Sequence, residues 1–588
     1  MKKSTGAIFK STFNLTRNQG SNKVVSLEEA IRVNVKPGMK LHIREGTGAA
    51  TREVLGQFWG KSPEFTLITS LLRCYSACLI HGGLVKKLVT TLCSEGAPVF
   101  RPSYVVQRAY LEGKMQIECW SLYSFVQRLM AGAFGVCFMP TKSIIGSSVA
   151  EENKDSFLVT EDPFGSGKKM GLVKALSPDM SLVHGWVADC YGNTIMGPAR
   201  GCGEGAWGPK ASVGGVVVTV EKLVSTDFIR RHSSLVSIPG YMVNSVSVCP
   251  LGGHPESLIN PGLKKFKAYG EDYDFLDEEQ AASRNPETMD AWIKKMVLDC
   301  PAYDDYLRKL GPERISCIQK RATQDSWKAQ LSLYSNALAT GEANPKETMI
   351  LVAAHKIKEK VIRQGYKTII AGGGTAGLAA WLAYYQLKDS GHDVDLLLGS
   401  GLLGYDPRPG DPVVMSAPTA ATCKMITDVV DAYGVFVGSD NNRCLSILGG
   451  GEVDKYGNIN STKIPGKAYL TGVGGSNDAI NAAEALVIMA QSRERFLENV
   501  SYTTCPGDRI KTLVSDRGIF EKLGDSEEFT LTGCLPDPKV SDPGDRISGV
   551  KENCGWDLEV SSGVEDVPAP TSDELVVLRA LDPKGYFI

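Results

Sequence analysis

"VADCYGNT", Val187 to Thr194, and "VDKYGNINST", Val453 to Thr462, carry one motif, Asp-x-Tyr-Gly-Asn, almost half a chain apart. Each follows an apolar run. Asn and Gly tolerate positive φ, and Asp accepts hydrogen bonds from the backbone of its own turn. The motif therefore reads as a structural turn, and its repetition as an internal duplication. Two further pairs keep the same order. "GMKLHIREGTG" begins at Gly38 and "GYKTIIAGGGTAG" at Gly365; both run from Gly-x-Lys through a short apolar strand to a Gly-rich turn. Helix-like sequence follows each turn, "AATREVLGQFWG" and "LAAWLAYYQL". "ASVGGVVVTVEKLV" from Ala211 is echoed by "TGVGGSNDAINAAEALV" from Thr471.

Strand, glycine turn and helix in series predict a parallel α/β unit. The fold class is α/β with two similar halves, each a mostly parallel sheet flanked by helices, joined by a helical connector. Expected boundaries are an N-terminal extension over 1–25, a first unit over 26–261, the connector over 262–345 and a second unit over 346–588. The connector is charged and has apolar residues near helical spacing. "AINAAEALVIMA", after the glycine stretch at 472–475, is predicted as a helix capped by Asn477 or Asp478.

Composition narrows the function. With 588 residues, 43% of them hydrophobic, the chain has material for several domains with large cores. A net charge of −2 with scattered Lys and Arg gives no basic stripe, which argues against nucleic acid as a partner. Fifteen cysteines without a Cys-x-x-Cys pair read as a reduced, cytoplasmic protein. Cys74, Cys78, Cys93 and Cys137 read as small core residues. No apolar run reaches about 18 residues, so no membrane span is expected. Seven dispersed histidines without a His/Cys cluster predict no metal site.

On these motifs the sequence resembles the family I CoA transferases, in particular the glutaconate CoA-transferase type, with α and β subunits joined in one chain. "RLMAGAFGVCFMPTKSIIGSS", "EDPF" and "DCYGN" fall in α-subunit order; "AGGGTAGLAAWLA", "LGGGEVDKYGNINST", "GVGGSND" and "YTTCPGDRIKTLVSDRGIFE" fall in β-subunit order. The resemblance implies coenzyme A as the acyl-CoA substrate, a carboxylic acid as a second substrate, a site between the halves and a homo-oligomer. It also implies a β-half glutamate that takes the acyl group, after a strand. Here that place reads "DVDLLLGSGLLGYDP", and Gly399 stands where the family has the glutamate. Glycine offers no nucleophile.

Four routes remain open. Glu452 could act as a relocated carboxylate, against the plainer reading of a solvated residue. Water could enter the space left beside Gly399, with Glu118 in "GKMQIECWSLYSF" as a buried general base of raised pKa. Ring-cleaving hydrolases of this fold, which the chain resembles in lacking that glutamate, imply water-using cleavage of a carbon–carbon bond in a cyclic keto acyl-CoA as an alternative to thioester hydrolysis. Ser400, flanked by Gly399 and Gly401, half matches a nucleophile elbow. Lastly, the chain could bind acyl-CoA without chemistry. For binding, Gly373 and Gly374 in "GGGTAG" offer backbone N–H groups at a helix start, which suits an oxyanion or phosphate. Gly474, Gly475 and Asn477 are the second set of candidate contacts. A dinucleotide site at "GGGTAG" would need Asp393 or Asp395 to cap a second strand.

Overall fold

The computed structural model describes residues 4–13, 20–95, 99–198, 203–323, 325–334, 338, 341–409, 416–537, 540 and 542–588. Two large sheets dominate, of nine and ten strands. In the first, Phe65–Ile68, Lys40–Ile43, Met180–Ala188, Val216–Leu223 and Val243–Val248 are parallel neighbours in that order. In the second, Asp395–Leu398, Thr368–Ala371, Cys444–Leu448, Glu484–Ile488 and Ile510–Val514 are parallel neighbours in that order. Read along the chain, the two orders are the same. The first strand of each set is followed by its Gly-rich turn and a helix, Gly48–Phe58 or Thr375–Asp389.

The paired motifs are equivalent down to single bonds. Asp189 Oδ1 accepts from the N–H of Tyr191 (3.1 Å) and Asn193 (3.0 Å), and Oδ2 accepts from Asn193 Nδ2 at 2.9 Å. Asp454 Oδ1 accepts from Tyr456 (3.1 Å) and Asn458 (3.0 Å), and Oδ2 from Asn458 Nδ2 at 3.0 Å. Gly192 and Gly457 take φ of +94° and +80°, which a side chain resists. Burial accounts for the apolar runs before the turns: Met180–Ala188 and Cys444–Leu448 are buried throughout, as strands covered on both faces must be.

The helices between the halves, Tyr273–Ser283, Pro286–Ile293 and Tyr303–Arg321, pack Phe275, Trp292 and Tyr306 into the core beneath the first sheet. They close the first half. The stretch read as the helix "AINAAEALVIMA" differs from expectation. Only Ser476–Ala479 is helical, and Glu484–Ile488 is a strand. Alanine favours a helix locally, but the segment lies between two parallel partners and its apolar residues are buried, so tertiary pairing prevails. Cys74, Cys78 and Cys93 are buried as predicted, whereas Cys137 is exposed just beyond the helix Leu122–Phe134. Among the described residues no helix is long and apolar enough to cross a membrane.

The halves share one core. Trp120, Leu122 and Phe125 of the first pack with Leu397, Tyr433 and Val473 of the second. Backbone also crosses the seam. Cys93 N–H donates to Thr471 O (2.8 Å), Gly474 N–H to Thr91 O (2.9 Å) and Leu122 N–H to Gly474 O (2.9 Å).

Candidate functional site

Both sheets point the carboxyl ends of their strands at this seam, where open α/β folds place ligands. A cavity of about 210 Å³ lies there. Glu45, Leu71, Leu92 and Leu122, each just past a first-half strand, form one wall. Gly372, Gly373, Leu398, Gly399, Ser400 and Leu448, at the second-half strand ends, form the other. Phe100, Tyr433, Gly475 and Ser476 complete it. The lining is mostly apolar, with a few polar groups: Glu45, Ser400, Tyr433 and Ser476.

Gly399 is tightly enclosed. A β-carbon added there would lie 2.0 Å from Tyr433 Oη and 2.4 Å from Tyr433 Cζ. One added at Gly475 would lie 1.9 Å from the same Oη. The Tyr433 phenol therefore stands where a side chain at 399 would go, which corrects the expectation of open space beside that glycine. Tyr433 is held in the π-helical turn Val430–Val437, a geometry often found at functional sites. It is 7% exposed, and it lines both this cavity and another of about 180 Å³.

Of the remaining sequence candidates, Ser400, Gly373 and Gly475 line the cavity. Among the described residues no imidazole or carboxylate is hydrogen-bonded to Ser400 Oγ, so nothing there activates it as a nucleophile. Gly374 begins the helix Thr375–Asp389 without a side-chain cap, so the first N–H groups of that helix end beside the cavity. Gly401 turns away, its Cα facing the Thr427 carbonyl carbon, which a β-carbon would approach to 2.4 Å. Gly474 uses both its N–H and its carbonyl in the seam. Asn477 accepts from Ile144 N–H (2.6 Å) and donates to Thr504 O (2.7 Å), so its amide joins the halves instead of facing a ligand. Asp395 begins the strand Asp395–Leu398 and pairs with Lys424 at 2.6 Å, so it does not cap that strand's carboxyl end as a dinucleotide site would require.

The two glutamates singled out in the sequence lie in other networks. Glu118 lies within the strand Gln116–Cys119 and does not line the cavity. Burial opposes its charge, but Arg128, Lys87 and the Trp120 indole N–H (2.8 Å) outweigh that and hold its carboxyl at about 2. A general base of raised pKa is the opposite of what this environment makes. Glu452 also lies off the cavity, accepting from Asn460 Nδ2 and Ser501 Oγ, both at 2.8 Å. Neither carboxylate reaches the ligand space.

Sequence reading overlooked Glu45, Glu204 and Tyr433. Glu45 follows the strand Lys40–Ile43, where the second copy has glycines; setting the two copies side by side is the signal that finds it. Its side chain is 2% exposed and pairs with Arg73 Nη1 (3.3 Å), which also holds Glu271 at 3.0 Å. Glu204, at the first position of the helix Glu204–Ala211, accepts from the N–H of Ser70 (2.6 Å) and Glu45 (3.2 Å). Burial raises its carboxyl to about 7. It braces two first-half strand ends directly behind the cavity wall. Among the described residues, no group of His, Cys, Asp and Glu could hold a metal ion.

The geometry agrees with what the chain resembles. A family model described as coenzyme A transferase matches residues 24–248. One subunit of glutaconate CoA-transferase from Acidaminococcus fermentans is 27% identical over 258 residues, covering 40% of this chain and 75% of that protein. The other subunit of the same enzyme is 29% identical over 220 residues, covering 33% of this chain and 80% of that protein. One subunit of 3-oxoadipate CoA-transferase from Pseudomonas knackmussii is 28% identical over 258 residues, covering 40% and 93%. The crystal structure of an acyl-CoA transferase from Escherichia coli O157:H7 superposes with a TM-score of 0.63 at 15% identity, covering 96% of this chain and 98% of that one, which is a likeness of fold.

Proposed function

We propose, given that this chain belongs to the coenzyme A transferase family of acyl-CoA enzymes, that it uses water to hydrolyse an acyl-CoA, without an acyl-glutamate at position 399. One observation carries the reading: the Tyr433 hydroxyl fills the space that a glutamate at 399 would need. Covalent transfer through that position requires a side chain, and Tyr433 would have to move to admit one.

The rest of the cavity supports a thioester ligand. At about 210 Å³ it is smaller than the roughly 300–1,000 Å³ of sites that enclose a whole ligand, so it suits the acyl end, with the nucleotide end of coenzyme A outside. Leucines and Phe100 match an apolar acyl chain. The uncapped helix start at Gly374 supplies N–H groups for the charge that develops on the thioester oxygen, worth about 3 kcal/mol per donor at such sites. Tyr433 adds a hydroxyl to the same wall.

A second reading has its own observation. Glu45 is the one carboxylate on the cavity lining among the described residues, and a transferase with a relocated acceptor would use it. One experiment separates the readings. The protein is incubated with a panel of acyl-CoAs, and intact mass and free coenzyme A are followed together. Release of coenzyme A and free acid without a mass shift is the expected result. An acyl adduct on a carboxylate would instead favour transfer, and binding without turnover a carrier.

A further inference from the structure

With Tyr433 against Gly399, the water for such a reaction has no place on that wall. The opposite wall offers one. Glu45 and Leu71 line both the acyl cavity and a second, small cavity of about 20 Å³ behind the first-half turn. A water needs only about 10–15 Å³ of such space, together with two to four polar partners. The small cavity supplies them: Thr47, Arg73, Ser76 and Glu256 lie on its wall with Glu45. Two of its lining residues have buried atoms with no hydrogen-bond partner among the described residues, Thr47 Oγ1 and Arg73 Nε. Thr47 is 2% exposed and Arg73 4%. Thr47 occupies the N-cap of the helix Gly48–Phe58, yet its side chain makes no capping bond. A threonine there ordinarily satisfies the helix; this one leaves its hydroxyl to the cavity.

Glu45 is held in place as well as placed. Arg73 Nη1 fixes its carboxylate, and the Arg73 guanidinium lies 5.5 Å from the centre of the Phe100 ring, which lines the acyl cavity. Its own N–H is tied to Glu204. An acid fixed at both ends and set between a water-sized polar space and an apolar acyl space has the position a general base needs.

We propose that Glu45 is the general base, acting on a water held by Thr47 and Arg73. This rests on the hydrolytic reading of the same cavity. The water oxygen bonds to the thioester carbonyl carbon while Glu45 takes one of its protons. The carbon–sulfur bond then breaks, and its electron pair leaves on sulfur. The proton on Glu45 passes to the departing thiolate, so that acyl-CoA and water become the free acid and coenzyme A.

The test is steady-state release of coenzyme A from whichever acyl-CoA of the panel the wild-type chain turns over best, with binding of that acyl-CoA measured separately. Glu45→Gln keeps shape and hydrogen bonding but cannot take a proton. It is expected to lower kcat by at least 100-fold, the usual scale for a general base, with KM within a few-fold and the solvent isotope effect changed. Glu45→Asp recovers part of the rate. Thr47→Val, whose fold does not depend on the acid, lowers kcat about tenfold at constant KM, in line with one lost hydrogen bond to the water. Wild-type turnover by Glu45→Gln overturns the assignment while leaving hydrolysis standing. Loss of binding in step with rate, or an acyl adduct on Glu45 in the wild-type chain, overturns it too. A wild-type chain that binds every acyl-CoA offered and hydrolyses none refutes the hydrolytic reading itself, before any variant is made.

Discussion

Tyr433 and Gly399 meet at contact distance. A carbon 2.0 Å from an oxygen is not a tight fit but an overlap, and Tyr433 Cζ at 2.4 Å means that removing the hydroxyl alone gives no relief. Gly399→Glu is therefore expected to be destabilised by about 1–3 kcal/mol or more through overpacking, and to gain no exchange of coenzyme A between an acyl-CoA and a free acid. Adding Tyr433→Ala opens the place, and the double variant is expected to show exchange and an acyl mass shift. Exchange by the single variant would mean that Tyr433 swings aside freely. Gly399 itself was legible in the sequence, because it is one letter at the end of the strand Asp395–Leu398. Its filling was not, because Tyr433 reaches that place from a turn over 30 positions further along the chain. Glu118 and Glu452 misled for the same reason: a carboxylate's environment depends on Arg128, Lys87, Asn460 and Ser501, which come together only in the folded chain.

At the scale of elements, the helix Glu204–Ala211 begins with a buried acid that ties two strand ends. Its carboxyl is raised by burial from 4.5 to about 7 in the fold. The unfolded chain thus gives up this proton first. The stabilising effect is complete below pH 4.5 and is lost as pH rises toward 7. Each tenfold change in proton affinity corresponds to about 1.4 kcal/mol, so the loss is on the order of 3 kcal/mol. Denaturant unfolding across that range is expected to show the wild type weakening relative to Glu204→Gln; parallel curves would mean that Glu204 titrates normally. Strand–turn–helix elements were legible where period and turn chemistry agree, as at "GMKLHIREGTG" and "GYKTIIAGGGTAG". They were misread at "AINAAEALVIMA", where alanine's local preference yields to pairing with two neighbouring strands.

At the scale of the molecule, the seam is a core and not a contact between separate bodies. Trp120, Phe125, Leu397 and Val473 share it, and backbone hydrogen bonds cross it, Ser148 N–H to Thr503 O (2.9 Å) among them. Expressed as two chains, 1–338 and 341–588, the halves are expected to co-purify in equal amounts and elute together; separate elution would show that the covalent link holds them. The duplication was legible from a five-residue turn, because that turn's chemistry is local and needs no partner to declare itself. Covalent tandem arrangement has one more consequence. Neither copy can be exchanged for its twin: at the cavity one carries Glu45 where the other carries Gly372. Interchangeable parts have become a fixed left and right hand, and a defect in either is beyond repair by the other.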